Sequence, residues 1–428
     1  MNQLRLIADK LLPHSLIICL VMLTGCGKKD PPVVDADPPA AAPATTTNEP
    51  QSFETNADQL MSARLPPAAA ADGWIRLFDG HTLFGWEITG KANWRVEQDT
   101  IVVDDGEKCF LCTSTTWQDY QLTLEFNADE ATNSGIFLRT PLAPEDPAVD
   151  CYEVNIAPQD NPFPTGSIVK RQTADADVVP AQVAGQWRRM DIRVEGKSVQ
   201  VSVDDKVVCE YTDTVELSPR RIALQHNSGR VAFRDIRLKP LGLDSLLDAE
   251  LSLWTKYPDM PGEFTVTEDG ALRVQGGKTQ LESKQSFDDF VLLAEYKMDD
   301  AEMNSGIFFR CIPGDVMMGY ECQISNERVD DNPLAPADYG TGGIFKRQEA
   351  RIVAGEPGQW ATVVLVARGR QLAAWVNGVQ VSNVQDTREP DENPRKGSRL
   401  EAGTLMIQGH DEKTDALYRQ LKIKPIAS

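Results

Sequence analysis

Short runs in which apolar and polar residues alternate fill most of the chain. Gln121-Leu122-Thr123-Leu124-Glu125-Phe126, Met190-Asp191-Ile192-Arg193-Val194 and Val199-Gln200-Val201-Ser202-Val203 all have a period of two. That period sends successive side chains to opposite faces of a strand. Residues 362–367 and 372–376 show it again. Asp204-Asp205 and Asn377-Gly378 separate such runs, and Asn-Gly in that place predicts a two-residue hairpin. Helical periodicity is nearly absent; residues 243–253 are the one short candidate helix. Many short strands between turn residues predict an all-β chain built of sandwiches.

The pattern is written twice, in order, at a domain-sized offset of roughly 170 residues. Asn133-Ser134-Gly135-Ile136-Phe137-Leu138-Arg139 returns as Asn304-Ser305-Gly306-Ile307-Phe308-Phe309-Arg310. Tyr152-Glu153-Val154-Asn155-Ile156 returns as Tyr320-Glu321-Cys322-Gln323-Ile324. Thr165-Gly166-Ser167-Ile168-Val169-Lys170-Arg171-Gln172 returns as Thr341-Gly342-Gly343-Ile344-Phe345-Lys346-Arg347-Gln348, and Gly185-Gln186-Trp187 as Gly358-Gln359-Trp360. Leu77-Phe78-Asp79-Gly80 with Trp86 opens the first copy, and Leu246-Leu247-Asp248 with Trp254 the second. Two tandem sandwiches are therefore expected over 72–241 and 242–428, each long enough to bury its own core. Trp86, Trp187 and Trp360 read mainly as core anchors.

Strand parity assigns faces to the polar residues. Leu122, Leu124 and Phe126 point inward and Glu125 outward. Ile136 and Leu138 share one face; Asn133, Phe137 and Arg139 share the other. Glu153 and Asn155 oppose Tyr152, Val154 and Ile156, and Gln225 opposes Leu224. If these strands are neighbours, Glu125, Arg139, Glu153, Asn155 and Gln225 converge on one sheet face, with His226 just past the last strand and Lys170 closing the Thr-Gly segment. Glu295, Arg310, Glu321, Gln323, Gln408, His410 and Lys346 hold the matching places in the second copy. A cross-strand Glu125–Arg139 ion pair would equally be a structural device.

The net charge is −21, and no basic run offsets it. That field disfavours nucleic acid and anionic lipid and leaves uncharged ligands such as neutral sugars compatible. Arg5 and Lys10 precede a short apolar stretch, residues 16–23, and Leu23-Thr24-Gly25-Cys26 follows. This is the form of an export signal over 1–25, with Cys26 as a lipidated first residue and a lipid anchor as the only membrane attachment. Residues 26–71 are rich in Pro, Ala and Thr and read as a disordered tether. Cys109-x-x-Cys112 has no second Cys pair at ligand spacing, which argues against structural zinc. Disulfides and buried thiols both remain open for the six later cysteines.

Taken together, the Leu-Phe-Asp-Gly start, the Asn-Ser-Gly-Ile-Phe-x-Arg and Tyr-Glu-x-Asn/Gln-Ile runs, the Thr-Gly segments, Gly-Gln-Trp and Leu224-Gln225-His226 resemble the 3-keto-disaccharide hydrolase domain. The resemblance spans about 72–425. It implies concanavalin A-like jelly-roll sandwiches, a carbohydrate ligand, and cleavage of 3-keto-glycosides by hydrolysis or by elimination followed by hydration. The family commonly has an Asp three residues after its Gln; Pro158 and Asn326 stand there, and Asn155 replaces the Gln of the first copy. A 3-keto group acidifies the hydrogen on C2, so one base and one cationic enolate partner suffice. Glu153 or His226 is the expected base and Arg139 or Lys170 the partner. Glu125, Asn133, Asn155 and Gln225 are expected to bind substrate, and a divalent cation is a candidate cofactor of unknown identity. The rival expectation is a non-catalytic, lectin-like glycan-binding pair. The charged, Pro- and Gly-rich insert between Val384 and Thr404 predicts a loop over the second site, which makes the first copy the better candidate for activity.

Overall fold

A computed structural model describes residues 55–175, 177–179 and 182–426. The signal, Cys26 and the tether up to residue 54 lie outside the described residues.

Each copy is a pair of antiparallel sheets facing each other across an apolar core. In the first copy the larger sheet runs Lys206–Thr212, Ser198–Val203, Trp187–Glu195, Tyr120–Ala128, Val231–Pro240, Thr100–Val103, Arg95–Glu97, with Ile75–Arg76 added beside Val231–Pro240. The smaller sheet runs Trp86–Thr89, Cys109–Thr113, Arg221–Ser228, Asn133–Thr140, Tyr152–Ile156. The second copy repeats this division, and its smaller sheet is Trp254–Lys256, Thr279–Phe287, Gly403–Gly409, Asn304–Cys311, Tyr320–Ser325. The chain is all-β, two tandem concanavalin A-like jelly-roll sandwiches. Leu122, Leu124 and Phe126 from one sheet meet Ile136, Leu138 and Val154 from the other, all buried, as alternation requires. Asn377 and Gly378 both have positive φ, the conformation a tight hairpin needs and Asn-Gly supplies with least strain.

Two expectations are corrected. Residues 243–253 form no helix: the two-residue strand Asp244–Ser245 pairs with Asp415–Pro425, and Asp248 accepts the Glu250 and Ser252 backbone N–H groups in a turn. The part of the 26–71 segment that is described is not a tether. Asn56 and Gln59 form a capping box on the helix Ala57–Ser62, and Pro67 opens a second helix, Pro67–Ala71. Leu60, Leu65 and Ala70 are buried, and the Leu65 N–H donates to the Asn377 carbonyl. A few apolar residues among many Pro and Ala were enough once a sandwich offered a surface.

The sandwiches share an apolar seam. Trp117 of the first packs on Trp375 of the second, with ring centroids 5.7 Å apart. Val291, Leu293, Val364 and Val366 join the first copy's core cluster. Asp79, from the Leu-Phe-Asp-Gly start, accepts the His81 and Thr82 N–H groups and binds Arg351 of the second copy at 2.8 Å.

Candidate active site

The outer face of the smaller sheet carries the polar residues that the two copies share. Register places them in rows. Gly135 stands between Gln225 and Asn155, and Phe110 lies beyond Gln225. One row along, Phe137 stands between Ala223 and Glu153. The second copy has Gly306 between Gln408 and Gln323, with Phe308 between Met406 and Glu321.

The glycine is what lets the carboxyl settle. A Cβ on Gly135 would lie 3.3 Å from Glu153 Cγ and 3.4 Å from its Oε1; one on Gly306 would lie 2.8 Å from Glu321 Oε1 and 3.2 Å from Gln408 Oε1. Glu153 and Glu321 therefore lean across a glycine floor toward the glutamine. Both are 8% exposed. Burial pushes the Glu153 carboxyl up to about 7, against opposing pulls from Lys108, a Gln225 side-chain hydrogen bond and Lys170. Burial likewise raises Glu321 to about 7, with Arg395 and Lys346 opposing and Asp338 assisting. Gln225 Oε1, Gln323 Oε1 and Gln408 Oε1 are buried acceptors without a partner among the described residues. Buried polar atoms are rarely left so, and a ligand's hydroxyl groups would satisfy them.

The remaining expected residues divide. Asn155 lies on this face, and its Nδ2 donates to the Phe163 carbonyl. Asn133 opens the same strand two residues before Gly135. Lys170 stands at the rim, half exposed, 2.9 Å from Asp146, with positive φ. Lys346 takes the same backbone conformation, its Nζ 5.4 Å from the Phe345 ring. Gln323 Nε2 donates to the Asp338 carbonyl and carboxylate at 2.9 and 2.8 Å.

Arg139 is a correction. Its φ of +48° and the irregular pairing beside it break strand parity, and the side chain turns into the end of the sandwich. There it is fully buried and donates to the carbonyls of Gln118, Gly196 and Leu217 and to Asp119. Arg310, φ +49°, does the same with the carbonyls of Asp288, Gly369 and Arg399 and with Asp289. Glu125 is a second correction. It faces outward as parity requires, but from the larger sheet, where it pairs with Arg234 at 2.6 Å. Glu295 pairs with Arg419 on the second copy's larger sheet. Two sheets have two outward faces, and sequence parity does not say which sheet a strand joins. Trp187 and Trp360 lie half buried on these larger-sheet faces beneath Arg234 and Arg419, not in the core.

His226 is the third. Its strand continues to Ser228, so His226 has the parity of Leu224 and turns inward, Nδ1 3.3 Å from the Glu107 carbonyl. His410 lies beyond its strand, exposed, paired with Asp411 at 2.8 Å. Lys108, Asp338 and Arg395 were missed. They come from loops whose reach no periodicity encodes; the repeated Asn-Ser-Gly was the available signal for the glycine floor.

Cys109 and Cys112 fall in two different clusters, the core and the outer face, and all six described cysteines are buried thiols. Among the described residues, no group of three or more His, Cys, Asp or Glu is placed to hold a metal ion.

The family model for the 3-keto-alpha-glucoside-1,2-lyase-like domain matches residues 73–239 and again 242–424. The chain belongs to this family. Over 191 residues it is 27% identical to the 3-keto-disaccharide hydrolase of Bacteroides thetaiotaomicron, covering 37% of this chain and 65% of that protein. It therefore spans just under two thirds of that relative. Among solved structures it is similar to a Parabacteroides distasonis protein provisionally described as a glycosyl hydrolase, at 16% identity and TM-score 0.37, covering 42% of this chain and 98% of that one. It is also similar to the carbohydrate binding module CBM66 of Bacillus subtilis, at 16% identity and TM-score 0.28, covering 36% of this chain and 95% of the module. The chain carries this domain twice, in tandem.

Proposed function

We propose that the first copy cleaves 3-keto-glycosides with Glu153 as the base. The reading rests on one observation: a buried carboxyl, raised by that burial to about 7, leans over a glycine floor beside an unpartnered glutamine oxygen. A base so poised can take the C2 proton of a 3-keto sugar at physiological pH. The electron pair moves into the C3 carbonyl to give an enolate, which Lys108 and Lys170 face. Collapse of the enolate breaks the C1–O bond, the departing aglycone oxygen takes the proton that Glu153 holds, and addition of water across the resulting C1=C2 bond, hydroxide to C1 and proton to C2, completes a net hydrolysis. A two-carboxylate mechanism does not use Glu125, which lies on the other sheet. Turnover of a 3-keto-glucoside by Glu153→Gln and Glu321→Gln tests the assignment. Glu153→Gln is expected to lose activity; turnover within a few-fold of the parent removes Glu153 from the role.

The alternative is tandem glycan binding without cleavage. The inward turn of His226 favours it, because neither described histidine near these strands faces Glu153 as a proton donor. Retained sugar binding with no turnover by the parent protein would select it.

Export to the cell envelope with lipid attachment at Cys26 belongs to the same proposal and draws on the Leu23–Cys26 sequence alone. A clickable palmitate should label the parent in a bacterial host and leave Cys26→Ala unlabelled; equal labelling refutes the anchor.

A further inference from the structure

The basic residues beside the two sites are neutralised differently. In the first copy Lys170 binds Asp146 at 2.9 Å and Arg171 binds Asp213 at 2.6 Å, which leaves Lys108 as the cation acting on Glu153 without an ion pair among the described residues. Their counterparts Lys346 and Arg347 have no carboxylate partner among the described residues. Arg347 donates instead to the carbonyls of Lys346 and Arg395, at 2.7 and 3.3 Å, and its Nε is buried without a partner. Burial and the nearby Arg388 charge both depress the Arg347 guanidinium's affinity for its proton. Asp386, Tyr320 and Tyr339 oppose that depression without cancelling it.

The insert of the second copy supplies a further cation beside Lys346 at Glu321. Arg395 is exposed, and its Nη2 donates to the Met317 carbonyl at 2.6 Å. Met317 Sδ receives the Gln408 amide at 3.3 Å, which puts Arg395 next to the glycine-floored face. Arg395 and Lys346 are the cations that Glu321 feels most. Arg388, from the same insert, is not available, being bound to Asp386 at 2.8 Å. Asp338 is the opposing charge, but its Oδ2 already accepts from Asn304 and Gln323 at 2.6 and 2.8 Å. In a chain of net charge −21, unpaired cations gathered at one mouth are not a solubility device.

We propose that the second copy's site takes a sugar carrying an anionic substituent, held by Arg395 and Lys346, while the first takes a neutral one. Guanidinium groups lacking carboxylate partners suit a carboxylate or sulfate, which they bind by charge-assisted hydrogen bonds. The inference rests on the reading that each smaller-sheet face holds a sugar, and it adds a division of labour between the copies.

The test is binding of 4-nitrophenyl β-glucuronide, 4-nitrophenyl β-glucoside and glucose 6-sulfate to the full chain by titration calorimetry. The parent should bind an anionic sugar about tenfold more tightly than the glucoside, as one charge-assisted contact implies. The preference should shrink as salt rises from about 20 to about 200 mM. Arg395→Gln and Lys346→Gln, both exposed and so tolerated by the fold, should each cut it to within about twofold; Lys170→Gln should not. Glucuronide against sulfate then separates carboxylate from sulfate recognition. No preference for either anion, or a preference lost only in Lys170→Gln, overturns the proposal. Binding does not require 3-keto chemistry, so loss of anion selectivity with intact turnover sinks this inference alone. Selective binding without turnover sinks only the catalytic reading.

Discussion

Arg139→Met separates a structural arginine from a catalytic one. The guanidinium has no exposed surface. Nε and Nη2 reach the Gln118 carbonyl at 3.0 and 2.7 Å, and Nη1 reaches those of Gly196 and Leu217 at 2.9 and 2.8 Å. Nη2 also reaches Asp119 at 3.0 Å. Removing it orphans carbonyls at the end of the sandwich, at about 1–3 kcal/mol each before relaxation. Asp119 is not left bare, since it keeps the Gly196 N–H at 2.8 Å and Lys424 of the other sandwich. Methionine restores some apolar contact. The net loss should be about 3–5 kcal/mol, within the range for breaking a buried charge network. For two sandwiches melting as one unit that lowers the melting temperature by about 5 °C. Calorimetry at pH 7 reads the melting temperature, and 3-keto-glucoside turnover well below the melt reads the chemistry. The expected result is a fall of about 5 °C in melting temperature with turnover per folded molecule within about threefold. An unchanged melting temperature with turnover down a hundredfold would refute the argument and return Arg139 to the active site. Arg310→Met, with the same partner pattern, is the replicate in the second copy.

Other expectations can be checked with the same material. Glu153 is raised to about 7 from an ordinary 4.5, so kcat/KM should rise about tenfold per pH unit below 7 and level off above it, as a base must be ionised to act. The same shift sets stability: below pH 4.5 both states hold the proton and nothing is lost, whereas above 7 the folded state has forgone about 3 kcal/mol. Glu153→Gln should therefore be more stable than the parent at pH 8 and equal to it at pH 4, measured by urea titration. Gly306→Ala would set a Cβ 2.8 Å from Glu321 Oε1, so it should destabilise by about 1–3 kcal/mol and abolish sugar binding at that site; normal binding would remove the glycine floor from the argument. Arg351→Ala leaves Asp79 buried without its partner across the seam and should cost about 3 kcal/mol of stability; separate melting of the two sandwiches would show that the pair holds them together.

What the sequence determined was local and periodic. Alternation placed the strands, Asn377-Gly378 placed a hairpin, and repetition placed two sandwiches, because a strand's faces and a turn's φ angles are properties of a few consecutive residues. Glu153, Asn155 and Gln225 were legible for that reason, lying on regular strands of one sheet. Tertiary structure decided the rest. Parity could not say that Glu125 belongs to the opposite sheet, since sheet membership is set by which distant strands pair. It could not foresee that a left-handed Arg139 would leave the ladder and plug the sandwich end. The upward shifts of Glu153 and Glu321 are also tertiary, because desolvation depends on what packs around a carboxyl, and the charges that oppose or assist it come from loops: Lys108 beside Glu153 in the first copy, Asp338 and Arg395 beside Glu321 in the second.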